Sequence, residues 1–183
     1  MSVLTARRII GIDPGTNILG YAVIEIVNKQ VRIIGIDVLK MQHLEDHPAK
    51  LKEIFDNLLQ IIQTFQPTEM ALEAPFFGKN VQAMLKLGRA QGVAMAAGLM
   101  AGLSINEYSP KKVKQSVTGN GNATKEQVAA MLAQTIRKDL ATDYLDATDA
   151  LGVAMCHYYQ SNMTVGGKKF KDWKDFAANV GRK

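Results

Sequence analysis

Residues 7–25 read RRIIGIDPGTNILGYAVIE, which places two apolar, β-branched runs on either side of a short turn. The segment DPGTN is rich in turn-forming residues, so this stretch predicts a β-hairpin. Asp13 ends the first run, where a carboxylate following an apolar strand would easily lose its hydration. Asp-Pro-Gly is also a common turn sequence, so Asp13 taken singly can be interpreted as a turn former or as one member of a site.

The rest of the chain continues as an alternation of strand and helix patterns. Apolar periodicity, prolines and a capping box (TKEQ, 124–127) mark the remaining elements. In chain order they are a strand at 30–40, a helix at 51–65, a strand at 68–74, a helix at about 79–102, a strand at 104–109, and helices from Pro110, from Thr124 and from about Asp143. This order predicts an α/β fold class, with a mixed five-stranded sheet flanked by helices.

Length and charge indicate one folded domain followed by a basic tail. The chain has 183 residues, a mass of 20.0 kDa and a net charge of +5. Six Lys or Arg residues against two Asp residues lie in 164–183, so most of the excess charge belongs to the tail, and the charge supports DNA binding by the body only weakly. We predict a domain over 1–162 and a partly disordered tail over 163–183. The single Cys156 and the lack of a signal-peptide pattern favour a cytoplasmic location.

Four acids form the candidate site. Asp13 and Glu73 end predicted strands, and functional sites in open sheets lie beyond the carboxyl ends of strands. Asp146 and Asp149 are three residues apart on a predicted helix, so both project from one face. Asp146 could instead be a first-turn helix acid and Asp149 a solvated one, but Glu73 follows an apolar strand where a lone charge is costly. A shared cation explains the four acids together more economically.

The type of ligand indicates which cation this would be. Oxygen ligands without a His or Cys cluster favour Mg²⁺ or Mn²⁺ over zinc. Two such ions about 3.5–4 Å apart can activate a water molecule and stabilise the leaving oxygen of a phosphodiester. His157 lies two helical turns beyond Asp149 and could reach the site, although a helix-surface or packed histidine is the favoured interpretation.

Four stretches resemble, in order and spacing, the RuvC family of Holliday-junction resolvases: IIGIDPGTNILGYAVIE, LEAPFFGKNVQAMLKLGRAQG, EYSPKKVKQSVTGNGNATKEQV and DATDALGVAMCHYY. The resemblance covers roughly residues 8–160. It implies an RNase H-like fold, with an antiparallel meander of three strands plus two parallel strands, over the 1–162 nuclease domain. It also implies that Asp13, Glu73, Asp146 and Asp149 bind Mg²⁺ and are catalytic.

The resemblance also implies a reaction and a set of partners. A homodimer would bind a four-way DNA junction and nick two strands of like polarity, leaving 5′-phosphate and 3′-hydroxyl ends, in DNA recombination and repair. RuvA and RuvB, the branch-migration proteins, would be partners in the bacterial cytoplasm, near the nucleoid. Small residues crowd the helix at 81–102; packing on the sheet explains them, and the family relates this helix to the dimer contact.

Candidate DNA-binding residues lie close to the acids in the sequence. Phe76 falls on the family's base-stacking position and is favoured over Phe77, although a Phe pair is more often part of a core. Lys114 and Lys125 match basic positions that the family uses near the cut phosphate. The predicted set is Phe76, Phe77, Lys79, Lys111, Lys114 and Lys125, and Arg89 is a further phosphate candidate.

Three other functions remain open on the sequence. An ATPase of the sugar-kinase and actin type begins with a similar strand, acid and hairpin, but it needs a second domain that this chain has no room for. A DNA-binding module without catalysis would bind DNA equally well without divalent metal. Another RNase H-like nuclease would prefer RNA or hybrid substrates over a four-way junction.

Overall fold

The structure is a computed structural model in which residues 6–75, 80–136 and 145–162 are described. The elements are β1 (Arg7–Asp13), β2 (Ile18–Val27), β3 (Gln30–Lys40), α1 (His47–Phe65), β4 (Glu69–Glu73), α2 (Val81–Met100), β5 (Ser104–Tyr108), α3 (Pro110–Thr118), α4 (Lys125–Ile136) and α5 (Leu145–Asn162). Their order confirms the order predicted from the sequence. The predicted tail over 163–183, the predicted helix start at Asp143, and Phe76, Phe77 and Lys79 lie outside the described residues.

The five strands form one sheet in the order β3-β2-β1-β4-β5. The first three pair antiparallel, whereas β4 runs parallel to β1 and β5 runs parallel to β4, as predicted. The register pairs Ile12 with Leu72, one residue before Asp13 and Glu73. Because the two neighbouring strands are parallel and in this register, both acids leave the sheet side by side at the same edge.

The central strand is apolar on both faces because helices cover both sides of the sheet. Ile10 and Ile12 are fully buried in the cluster that includes residues of α1 and α2, and Ile9 is fully buried in the cluster that includes α5. Successive side chains of a strand point to opposite faces, so this division follows from the strand itself. It explains why residues 9–12 of this strand, IIGI, are continuously apolar rather than alternating.

Two strand glycines set the distance between α5 and the sheet. A Cβ atom built at Gly11 would lie 2.2 Å from the carbonyl oxygen of Ala150, and one at Gly20 would lie 2.1 Å from that of Asp146. No side chain fits at either position, so the main chain of α5 rests directly on β1 and β2. This contact fixes the height of the first turn of α5 above the end of β1.

Caps fix where the helices begin. Thr124 and Gln127 form the predicted capping box, because the Gln127 side chain accepts from the Thr124 N–H at 3.0 Å and the Thr124 hydroxyl accepts from the Gln127 N–H at 3.3 Å. Asn80 caps α2, which therefore begins at Val81 rather than at about Lys79. Asp46 caps α1, so that helix begins four residues before its apolar periodicity does.

The small residues of α2 divide between two faces. Ala90, Ala94 and Ala97 are fully buried, as close packing on the sheet requires. Gly88 and Gly92 are not part of this packing, because a Cβ atom built at either position would meet nothing within 4 Å. Sheet packing therefore explains only part of the small-residue content of this helix.

Among the described residues, no helix is both long enough and apolar enough to cross a bilayer.

Candidate metal centre and DNA-binding surface

Three of the four predicted acids converge on one point. Asp13, Asp146 and Asp149 each offer a carboxylate oxygen, and these oxygens all lie within 4.8 Å of one another. Asp13 comes from the end of β1, while the other two lie one turn apart at the start of α5. Oxygen atoms at this spacing match what a hard divalent cation requires, so the donor set fits a Mg²⁺ or Mn²⁺ ion.

Glu73 stands beside this group rather than within it. It lines a pocket together with Asp149, Lys114 and Lys125. Burial and the nearby charge of Asp149 raise the pKa of Glu73 to about 7. The structure therefore brings all four predicted acids to one edge of the sheet, with three clustered oxygens and a fourth carboxylate alongside.

Crowding has its largest effect on Asp13. Burial raises the pKa of Asp13 to about 8, and repulsion by Glu73, Asp149 and Asp146 adds to the shift. Like charges held together in a poorly solvated place disfavour the ionised form, and a bound cation reverses that preference. The electrostatics therefore agree with the donor geometry in indicating a cation site.

Lys125 is the basic residue most closely tied to the acids. It is the first residue of α4, and its ammonium group forms an ion pair with Asp149. Burial by itself would lower the pKa of Lys125, but the hydrogen bond to Asp149 and the charge of Asp13 raise it. The capping box at the start of α4 fixes this position, because it holds the first turn that carries the lysine.

The other predicted basic residues differ in their relation to the acids. Lys114 lies on α3 and lines the pocket with Glu73. Lys111 lies in the first turn of the same helix but is exposed, and it is not among the described residues that line this pocket. The geometry thus places Lys114 and Lys125 beside the acids and Lys111 further away.

His157 is a packed histidine, as the favoured interpretation predicted. It is 4% exposed, its Nδ1 atom lies 2.7 Å from the Tyr108 hydroxyl, and its Nε2 atom lies 2.8 Å from Glu69. Glu69 begins β4 and Glu73 ends it, so these two carboxylates are separated by about 13 Å of strand. The histidine therefore belongs to the opposite edge of the sheet.

Sequence reasoning missed the part played by Gly11 and Gly20. These two residues let α5 approach the sheet closely enough for Asp146 to stand near Asp13. The signal was present, because a glycine inside an otherwise β-branched strand often marks a close backbone approach.

Comparisons with known proteins agree with this arrangement. The family model described as "Crossover junction endodeoxyribonuclease RuvC" matches residues 9–157. The crossover junction endodeoxyribonuclease RuvC of Christiangramia forsetii is 52% identical over 176 residues, covering 96% of this chain and 92% of that protein. The RuvC of Cytophaga hutchinsonii is 53% identical over 171 residues, covering 93% of this chain and 84% of that protein.

Solved structures give the same result for the fold. The RuvC structure of Thermus thermophilus superimposes with a TM-score of 0.78 at 30% identity, covering 85% of this chain and 96% of that chain. The T. thermophilus RuvC in complex with a Holliday junction substrate gives a TM-score of 0.77 at 28% identity, covering 88% of this chain and 97% of that chain. Fold, site and sequence agree: the chain belongs to the RuvC family of crossover junction endodeoxyribonucleases.

Proposed function

We propose that this chain is a metal-dependent endonuclease that resolves four-way DNA junctions by hydrolysing phosphodiester bonds. The observation that carries the proposal is the convergence of the Asp13, Asp146 and Asp149 carboxylates within 4.8 Å. Membership of the RuvC family supports the substrate, since a T. thermophilus relative was solved with a Holliday junction. A module that only binds DNA would have no use for a buried group of mutually repelling acids.

The proposed cofactor is Mg²⁺, with two ions in each site and Mn²⁺ as a substitute. Asp13, Asp146 and Asp149 would hold the ions, and Glu73 would complete the ligand set from the neighbouring strand end. When bound, such ions supply a nucleophile at neutral pH and stabilise charge on the leaving oxygen. The protein's contribution is to hold four carboxylates close together, in a place where the pKa values of Asp13 and Glu73 are raised, so that a bound cation is what favours their ionised form.

The lysines of the pocket would bind the substrate. Lys125 and Lys114 line the pocket that contains Glu73 and Asp149, so a phosphate brought to the acids would meet two ammonium groups. These groups would offset the charge of the phosphate as it approaches a negatively charged site. Lys111 and Lys79 would contact phosphates further along the strand, and Phe76, with Phe77, would stack on an unpaired base at the junction.

The proposed active form is a homodimer. The outward face of α2 carries Val81, Leu85 and Leu99, which are 65%, 51% and 62% exposed. Gly88 and Gly92 continue the same stripe at steps of three and four residues, and each leaves open space above the helix. A smooth apolar stripe of this kind suits close packing against its own copy about a twofold axis. Two copies would place one site on each of two strands of like polarity.

The cellular setting of the proposal follows from the family. The two nicks would leave 5′-phosphate and 3′-hydroxyl ends in DNA recombination and repair, with RuvA and RuvB as partners in the bacterial cytoplasm, at the nucleoid. We propose that residues 1–162 form the nuclease domain and that 163–183 form a separate basic tail.

Synthetic junctions test the central proposal. End-labelled four-way junctions would be incubated with the protein in Mg²⁺, in Mn²⁺ and in EDTA, and the products mapped at nucleotide resolution. We expect paired, symmetric nicks in either metal and binding without cleavage in EDTA. A linear duplex and an RNA–DNA hybrid of the same sequence serve as controls. Preferred cleavage of the hybrid, or no cleavage of any substrate in Mg²⁺, would contradict the proposal.

A further inference from the structure

A second pocket lies between the β1–β2 turn, the start of α1 and the first half of α2. Its lining is polar, with two lysines and a histidine among six residues, and no role for it follows from the acid cluster. The lining residues are Thr16, Asn17, Glu45, His47, Lys50 and Lys86.

One residue that lines the pocket, His47, has a buried polar atom without a partner among the described residues. The Nε2 atom of His47 is buried and has no hydrogen-bond partner among the described residues. A buried polar group left unpaired costs free energy, so such an atom in a pocket indicates a missing partner. Lys50 also points toward this region, because its ammonium donates to the Asn17 side chain at 2.7 Å.

The charges around His47 favour an anion. Burial lowers the pKa of His47, and the positive charges of Arg89, Lys86 and Lys50 lower it further. Among the described residues, Lys86 and Arg89 have no ion-pair partner.

Two acids lie in the same region. Glu45 lines the pocket, and Asp46 is engaged in capping α1, where its carboxylate accepts from the Ala49 N–H at 3.2 Å. The positive charges around His47, those of Lys50, Lys86 and Arg89, therefore outnumber the negative charges of Glu45 and Asp46. The carboxylate of Asp46 is already engaged by the start of α1. This excess of positive charge around the pocket favours the binding of an anion.

The pocket is close to the acid cluster. Thr16 follows Asp13 by three residues, so their Cα atoms are at most about 11 Å apart. Successive nucleotides of one strand advance by about 3.4 Å along the DNA axis. A strand that presents one phosphate to the acids would therefore carry another phosphate past this pocket within a few nucleotides.

We propose that this pocket binds a phosphate of the DNA backbone beside the one that is cut. Lys50 and Lys86 neutralise the charge of the phosphate, and the His47 side chain turns its buried Nε2–H, in the tautomer that carries hydrogen there, toward a phosphate oxygen. The contact positions the strand in the acid cluster without reading its sequence. The inference rests on the proposed function and assigns it a second anchoring point on the substrate.

Salt dependence of junction binding tests the proposal directly. Binding of a labelled four-way junction would be measured by fluorescence anisotropy in EDTA, where cleavage does not occur, over a range of potassium chloride concentrations. We expect Lys86→Gln to weaken binding several-fold at low salt and to reduce the slope of log affinity against log salt by about one. The double variant Lys50→Gln/Lys86→Gln should reduce both further.

Lys52→Gln is the matched control, because Lys52 is exposed on α1 and pairs with Asp56 on the same helix. If the pocket variants keep the same slope and affinity as this control, with unchanged Tm, the inference is wrong. Cleavage by the wild-type protein in Mg²⁺ is scored separately. If the wild-type protein cuts the junction but the pocket variants and Lys52→Gln have equal salt slopes, only the phosphate pocket is overturned. If the wild-type protein does not cut but the salt slopes differ, only the proposed nuclease activity is overturned.

The ring signals of His47 distinguish DNA from a free anion. In a histidine-labelled sample studied by NMR, a short duplex in EDTA should shift the His47 signals and raise the pKa of this imidazole, because a phosphate favours its protonated form. Inorganic phosphate at the same phosphate concentration should give a much smaller effect. An effect of inorganic phosphate that equals or exceeds the effect of the duplex would assign the pocket to a free anion and overturn the proposal.

Discussion

Lys125 forms an ion pair with Asp149, one of the three carboxylates that converge at the edge of the sheet. The ammonium group therefore stands where it partly neutralises the site before any divalent ion binds. A cation that binds the acids competes with this lysine for Asp149, and a phosphate that arrives with the DNA offers the lysine another partner.

Replacing Lys125 should separate metal binding from catalysis. In Lys125→Gln we expect divalent metal to bind several-fold more tightly, because a competing positive charge has been removed from the acids. Cleavage should nevertheless fall by about tenfold or more, since the phosphate loses a neutralising group. Calorimetric titration with Mn²⁺ and single-turnover cleavage measure the two effects. Metal affinity and cleavage falling together, relative to Lys52→Gln, would count against this account.

Asp13→Asn should abolish cleavage and spare junction binding. The amide keeps the shape of the side chain but loses the charge that a cation requires. We expect the cleavage rate to fall by on the order of 10³ or more, with unchanged or slightly tighter binding because a negative charge near the DNA is gone. Cleavage assays and anisotropy on the same junction measure both, and cutting at a rate near that of the wild type would refute the assignment of Asp13.

The same substitution should stabilise the metal-free protein at high pH. Folding raises the pKa of Asp13 from 3.8 to about 8, so the folded state holds this proton more tightly. The free energy of unfolding therefore falls as pH rises between these values. At pH 8 in EDTA we expect Asp13→Asn to gain on the order of 2 kcal/mol, which is about 4–8 °C in Tm, and to gain little near pH 4.

Thermal unfolding at both pH values checks this expectation. Asp56→Asn is the control, because Asp56 lies on α1 outside the acid cluster and its side chain is 45% exposed. A Tm difference that is the same at pH 4 and pH 8 would mean that the proton on Asp13 is not its source.

Metal affinity should rise steeply with pH. Ligands must lose their protons before they bind, and the pKa values of Asp13 and Glu73 lie at about 8 and about 7. Below pH 7 we expect up to two protons to be released for each site filled, and above pH 8 fewer than one. Calorimetry in buffers of different ionisation enthalpy counts these protons. Affinity that does not change between pH 6 and pH 9 would contradict the crowded, protonated site.

Gly20→Ala should displace α5 and damage the site. The added Cβ atom would lie 2.1 Å from the Asp146 carbonyl oxygen, so the helix or the strand must shift. We expect a loss of about 1–3 kcal/mol of stability and a loss of cleavage that added metal does not restore. Gly152→Ala on the same helix is the control, because its nearest new contact is a Val113 methyl at 3.3 Å. If chemical denaturation gives the same free energy of unfolding for Gly20→Ala and Gly152→Ala, the direct contact of α5 with β2 at Gly20 is not what limits this position.

The sequence predicted the sheet and the four acids for physical reasons that the structure retains. The segment IIGI at 9–12 is apolar throughout because both of its faces are covered, and two parallel strand ends place Asp13 next to Glu73. The three-residue spacing of Asp146 and Asp149 puts them on one face of a helix wherever that helix packs.

Other features depend on packing that one-dimensional patterns do not contain. The position of Glu73 beside the group of three, and the ion pair of Lys125, depend on how α4 packs on α5 and how α5 packs on the sheet. The pocket at His47 joins a turn, a loop and two helices, so its residues share no spacing in the sequence. Gly11 and Gly20 carried a readable signal, but only the position of α5 explains it.

The direct contact of α5 with β1 and β2 has a consequence for which ions the protein tolerates. No layer of side chains separates the main chains there, so the Asp13, Asp146 and Asp149 carboxylates have little freedom to spread apart. We therefore expect a larger ion such as Ca²⁺, which takes more ligands at longer distances than Mg²⁺, to be accommodated on the side of Glu73. The close contact between α5 and the two strands would thus limit the size of the ion that the three acids can hold, and Glu73 would be the ligand that adjusts to it.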